Sequence, residues 1–168
     1  MGSLRDRARM KSIRQRKNEH YNTKGSWDAF SELIDRRLRV MKITRAEFAR
    51  RIPCFPIRTP YQSSTPKRTI TPSLITRILQ GRRSLPMGDV LPWIYALDMG
   101  TPKQLREFSV IVALANALRD IRRKLPVDHV TRKELEPLID TALTQQVRNF
   151  RWGDDRENPL PKGWKPTR

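Results

Sequence analysis

The chain has 168 residues, and its 35 Lys and Arg against 17 Asp and Glu give a formal net charge of +18. Apolar residues make up 37%, below the ~45–50% of an ordinary globular domain, which suits one core with appended segments and excludes an acidic solvating protein. A pI near 11.2 points to a polyanionic partner, nucleic acid first and an anionic membrane surface second, although a generically basic proteome would carry the same charge without one.

Residues 1–24 hold Arg5, Arg7, Arg9, Lys11, Arg14, Arg16, Lys17 and Lys24 against Asp6 and Glu19. With few apolar residues and no period, this stretch reads as a flexible basic arm or a leader without function. It has no apolar h-region, so no secretory signal is expected. Nor does any run of the chain approach the ~18 apolar residues of a membrane span.

From Trp27 the pattern changes. Trp27, Phe30, Leu33, Ile34, Leu38 and Met41 recur at three- and four-residue steps and predict a first amphipathic helix. Thr44 and Glu47 form a capping box for a second helix with Phe48, Ala49 and Ile52 on its buried side, ended by Pro53. Residues 53–70, with Pro53, Pro56, Pro60 and Pro66 plus Arg58, Lys67 and Arg68, predict a long basic loop. That loop is either a phosphate grip or a tolerated surface insertion.

Thr71 and Pro72 mark the start of a third helix, with Ile75, Ile78 and Leu79 buried and Gly81 as its stop. Ser73, Thr76, Arg77 and Gln80 fall on its exposed side. A fourth helix carries Val90, Trp93, Ile94 and Leu97, with a kink or late start at Pro92 and an end at Gly100. Thr101 and Pro102 open a fifth, running to about Lys124 with Leu105, Phe108, Ile111, Val112, Ala115 and Leu118 as its apolar face.

Thr131 and Glu134 read as another capping box, for a sixth helix through Leu135, Leu138, Ile139, Ala142, Leu143, Val147 and Phe150, whose start Pro137 could shift to Glu136. Beyond Trp152 an irregular tail is expected. Trp27 and Trp93 are expected in the core; Trp152 and Trp164 either stack on a partner or pack back. The expected fold is all-α, a bundle of five or six helices, organised as arm 1–24, core 25–100, C-terminal helices 101–152 and tail 153–168.

The lone Cys54 argues against a disulfide framework and for a reducing compartment. With it, the distant His20 and His129 supply no metal-ligand spacing. Phosphate-cradling, dinucleotide and nucleophile-elbow motifs are absent from the sequence. The expectation is a binding protein without catalytic residues, metal or cofactor.

The informative stretch is ITRAEFARRI followed by ITPSLITRILQGRRSLP. It resembles the helix-turn-helix of the Xre family, the Cro- and lambda-repressor-like regulators. Thr44, Glu47, Phe48 and Ala49 match its first motif helix, and Ile75, Thr76, Gly81, Arg82, Arg83 and Pro86 match its recognition helix and exit. The resemblance covers Trp27 to Gly100. It departs from the family in its enlarged loop 53–70 and in Leu79, where an acid is common.

The resemblance implies base contacts from Thr71, Ser73, Thr76 and Arg77. It implies phosphate contacts from Thr44, Arg45, Gln80, Arg82 and Arg83, to which the loop would add Arg58, Lys67 and Arg68. Arg and Gln at such positions can bind base edges bidentately, and the arm adds sequence-independent affinity through counterion release. The implied function is sequence-specific double-stranded DNA binding by a transcriptional regulator or repressor, cytoplasmic and nucleoid-associated. The alternative is an architectural or adaptor subunit that holds DNA or RNA in a larger complex. The stripes Leu105–Leu118 and Leu135–Phe150 are candidate homodimer surfaces. A protein partner on the C-terminal helices or tail is the other expectation, and no membrane is expected.

Overall fold

The computed structural model describes residues 28–52 and 70–153, together with Lys165. The basic arm, loop positions Arg58, Lys67 and Arg68, Trp27, Cys54 and Trp164 lie outside the described residues. Six α-helices and no strand occur among those described: α1 Ala29–Val40, α2 Arg45–Arg51, α3 Pro72–Leu79, α4 Val90–Ala96, α5 Pro102–Lys124 and α6 Val130–Asn149. A single 3₁₀ turn, Met87–Asp89, leads into α4.

Side-chain caps set most of the helix starts. Asp28, Thr44, Thr71 and Thr101 each accept the backbone N–H three residues on, satisfying one orphan donor. Three helices end in the same six-residue hydrogen-bond pattern. After α1 the Ile43 N–H reaches the Leu38 carbonyl, after α3 that of Arg82 reaches Arg77, and after α4 that of Met99 reaches Ile94. The left-handed residues that allow this are Lys42, Gly81 and Asp98.

α5 is the centre of the molecule. It packs against α1, α4 and α6, while α2 and α3 pack on each other and α1 contacts α3 and α6. Phe108, Ile111, Val112, Ala115 and Leu118 of α5 share one core with Phe30, Leu33 and Ile34 of α1, Phe48 of α2, Ile75, Ile78 and Leu79 of α3, Trp93 of α4, and Leu143 and Val147 of α6. Phe30 lies 6.2 Å from Trp93 and 6.0 Å from Phe108 between ring centres, and Phe48 meets Trp93 edge-on at 5.0 Å. Fully burying each such side chain contributes about 1.5–3 kcal/mol.

Polar side chains on α5 then fix the register of the pieces around it. Arg119 Nε and Nη2 donate to the Asp28 carboxylate at 2.8 and 3.2 Å. Both residues are almost wholly buried, with side-chain exposures of 2% and 0%. Arg119 Nη1 donates to the Arg83 carbonyl at 3.3 Å, and its guanidinium sits 5.0 Å above the Phe30 ring. The Ser31 hydroxyl, beside the same carboxylate, donates to the Leu79 carbonyl. Asn116 holds Leu85 by both its N–H (3.0 Å) and its C=O (2.6 Å). Gln104 accepts from the Gly100 and Thr101 amides and donates to the Arg151 carbonyl at 3.2 Å.

The α5–α6 hairpin is closed by a second ionic unit. Arg122 and Arg132 each donate to Glu136 at 2.7 Å, and Arg132 also caps the carbonyls of Arg122 and Leu125. Burial by itself would raise the Glu136 pKa; the two arginine hydrogen bonds and charges outweigh it, so its carboxyl titrates below the usual range.

Four expectations change. α4 ends at Ala96 rather than Gly100, because Asp98 (φ 57°) takes the left-handed turn position that a glycine was expected to fill. Pro92 causes no late start, since it lies in the first turn of α4, where its missing N–H has no intrahelical partner to lose. The Thr131–Glu134 box is absent: α6 begins at Val130 with His129 as an uncapped N-cap, and its first turn is tied to the end of α5 by Arg132. Pro137 lies inside α6 on an exposed side, so the helix passes through it without restarting.

The two stripes offered as dimer surfaces are largely spent within the chain. From Phe108 to Leu118 the α5 stripe is buried, as are Leu143, Val147 and Phe150 of α6. Leu105, Leu135 and Leu138 remain exposed, as does Ala142.

Arg119→Ala would leave Asp28 buried without its partner, so urea unfolding should show a loss of about 3–5 kcal/mol; Asp28→Ala/Arg119→Ala should lose clearly less than the sum of the single changes. The depressed Glu136 pKa means the folded state binds its proton less readily than the unfolded chain. Its stabilisation is therefore complete above the ordinary carboxyl pKa of 4.5 and is lost as pH falls through the lower folded value. Glu136→Gln should flatten that part of the stability–pH curve, and an unchanged curve would show that Glu136 does not contribute to it.

Candidate nucleic-acid interface

α3 is an eight-residue helix with one buried and one open side. Ile75, Ile78 and Leu79 are buried, while Thr71, Ser73 and Arg77 are exposed and Thr76 and Gln80 are half-buried. No acidic residue occurs in the described stretch 70–86. Both ends are fixed. Thr71 Oγ1 accepts the Leu74 N–H at 3.2 Å with Pro72 in the first turn. At the other end the carbonyls of Arg77, Ile78 and Leu79 are taken by the Arg82 N–H, the Gly81 N–H and the Ser31 hydroxyl. The apolar Leu79, where the resembling family carries an acid, is a core residue with 0% exposure.

The candidate residues divide by what already holds them. Ser73 and Arg77 stand on the open side of α3, and Arg82 and Arg83 are exposed just beyond it. Among the described residues, the side chains of Arg77, Arg82 and Arg83 form no ion pair. Thr71 is a cap whose hydroxyl proton remains available. Thr44 is a cap in a full capping box: its Oγ1 accepts the Glu47 N–H at 3.2 Å, its own N–H donates to Glu47 Oε2 at 2.7 Å, and its hydroxyl lies 3.0 Å from the same oxygen. These bonds, the backbone one foremost, hold the Glu47 carboxyl below the usual range.

Arg45 forms a bidentate pair with Asp35 of α1, at 3.1 and 2.8 Å from one nitrogen and 3.3 Å from Nε. It therefore ties α2 to α1 and brings little free charge to a phosphate. Two cations the sequence reading passed over, Arg50 and Arg51, are exposed at the end of α2. Their position in the last helical turn, off the Phe48–Ala49–Ile52 stripe, was the available signal. Trp152 packs back on the core: it meets Phe150 edge-on at 4.9 Å and lies under the Arg37 guanidinium at 4.9 Å.

Metal and membrane readings gain nothing here. The described residues contain no group of three or more His, Cys, Asp or Glu side chains able to hold a metal ion. Likewise, no described helix is long and apolar enough to cross a membrane. Comparison with protein-family models, characterised proteins and solved structures finds no match for this chain.

If Thr71 acts first as a cap, Thr71→Ala should lower stability by about 1 kcal/mol, read by thermal or urea unfolding. Ser73→Ala, on the open side, should leave stability unchanged. Equal stabilities for the two variants would show that α3 does not depend on its cap.

Proposed function

We propose that the protein binds double-stranded DNA in a sequence-specific manner and acts as a transcriptional regulator of the Xre type. The observation that carries this reading is α3: a short helix, rigidly held at both ends, whose open side presents Ser73, Thr76 and Arg77 in an acid-free stretch. Such a helix can enter a major groove with its polar side toward the base edges. Arg82 and Arg83, with Arg50 and Arg51 on α2, are then available to phosphates on either side, which fixes register without reading sequence. The net charge of +18 supports the same reading through its long-range field.

The adaptor reading is favoured by a different observation. On α6, Leu135, Leu138 and Ala142 follow one another at three- and four-residue steps on the exposed side, and Leu138 is 67% exposed. A protein partner, or a second copy of this chain, would cover such a stripe, and the complex would then hold DNA or RNA without regulating a promoter.

Selection of bound fragments from random duplex DNA separates the two, because a regulator prefers its site by ~10³-fold or more over random DNA. On the selected site, Arg77→Ala should cost about 1–3 kcal/mol and relax preference at one base pair, with helicity unchanged. Equal weakening on all duplexes would assign Arg77 to phosphate and refute base readout by this residue.

A further inference from the structure

The chain leaving α3 runs back along the C-terminal half of α5, and α5 grips it residue by residue. Arg119 takes the Arg83 carbonyl, Asp120 Oδ1 lies 3.4 Å from the Ser84 hydroxyl, and Asn116 clamps Leu85. The next turn of α5 carries two exposed cations. Arg123 Nη2 lies 2.6 Å from Asp120 Oδ1, and Lys124 Nζ lies 3.1 Å from Asp120 Oδ2. At 1.5 Å per residue, Arg123 is only about 6 Å along the axis from Arg119, whose guanidinium already touches the residue between Arg82 and Ser84. The end of α5 and the exit of α3 therefore meet at Asp120, whose carboxylate lies beside the Ser84 hydroxyl and pairs with Arg123 and Lys124, while Arg82 and Arg83 are exposed in the same exit segment.

Two cations share this one carboxylate, so the group keeps a balance of +1. Arg123 and Lys124 are each more than half exposed, so their pairs with Asp120 are weakened by solvent and exchange readily for another anion. We propose that Arg123 and Lys124 are a phosphate-binding extension of the α3 surface, so that a duplex seated on α3 continues over the end of α5. Asp120 holds the two side chains in place while the site is free and competes with phosphate when DNA arrives. This rests on the duplex-binding reading above and adds to it a contact site on a helix outside the motif itself.

The test uses the full chain and a random-sequence duplex, with affinity measured over a range of salt concentrations and melting temperatures recorded for every variant. Arg123→Ala/Lys124→Ala should reduce the salt slope by about 1.8, the value for two lost phosphate contacts, on every duplex and without altering sequence preference. Lys103→Ala/Arg106→Ala, which removes two exposed cations from the opposite end of α5, should leave the slope unchanged. Asp120→Asn should bind several-fold more tightly than the unaltered chain. An unchanged slope for Arg123→Ala/Lys124→Ala, with Arg77→Ala still impaired on the selected site, would overturn the extension and leave the duplex reading intact. An equal loss from Lys103→Ala/Arg106→Ala would also overturn it, by showing only an effect of bulk charge. Absence of duplex binding by the unaltered chain would refute the parent reading and the extension together.

Discussion

The buried contact between Arg119 and Asp28 is the constraint on which the rest of the structure depends. Removing two charges from water costs several kcal/mol per ion, and the cost is met only where geometry and further hydrogen bonds are complete. Here they are. Asp28 accepts from two nitrogens of Arg119 and from the Ser31 N–H, and the third nitrogen of Arg119 reaches the Arg83 carbonyl. Three parts of the chain, the start of α1, the exit of α3 and the middle of α5, can satisfy these groups in one arrangement only. An apolar contact of similar size could slide, whereas a buried guanidinium cannot.

The orientation of α3 follows from that arrangement. Its buried side is generic, since Ile75, Ile78 and Leu79 would suit many apolar surfaces. What fixes its rotation and axial position is polar: the Ser31 hydroxyl on the Leu79 carbonyl, Arg119 on Arg83, and Asn116 on both backbone groups of Leu85. A helix meant to present a few side chains to a rigid partner gains from such support, because small misplacements forfeit directional hydrogen bonds. The same bonds bring the end of α5 beside the exit of α3, through Asn116, Arg119 and Asp120 on residues 83–85.

Much of the architecture was legible in the residues. Threonine three positions before Glu47 or Leu74 announces a cap, and Thr101–Pro102 announced the start of a 23-residue helix that does end at Lys124. The misreadings have a common cause: the deciding partner was distant or atypical. Asp98 and Lys42 occupy left-handed positions usually given to glycine, so the stop after α4 was sought at Gly100. α6 starts ahead of the local Thr131–Glu134 pattern, and its first turn is tied to α5 by Arg132. The apolar period of α6 runs around more of the helix than α1 and α5 cover, so Leu143 and Val147 are buried while Leu135 and Leu138 are not.

The sequence by itself determined the helix content, most of the starts, the aromatic core and which side of α3 is buried, because these depend on interactions within three or four positions or on a simple period; of the four residues expected on its exposed side, Ser73 and Arg77 are exposed and Thr76 and Gln80 half-buried. Only the tertiary structure decided which charges are free. Arg45 and Arg77 look equivalent in sequence, yet Arg45 is bound to Asp35 and Arg77 stands open. Arg119 lies one position after Leu118 and four after Ala115, a cation within an apolar period, but that period does not reveal its partner 91 residues away. A charge is neutralised by whatever the fold brings within a few ångströms of it, and local spacing carries no record of that distance.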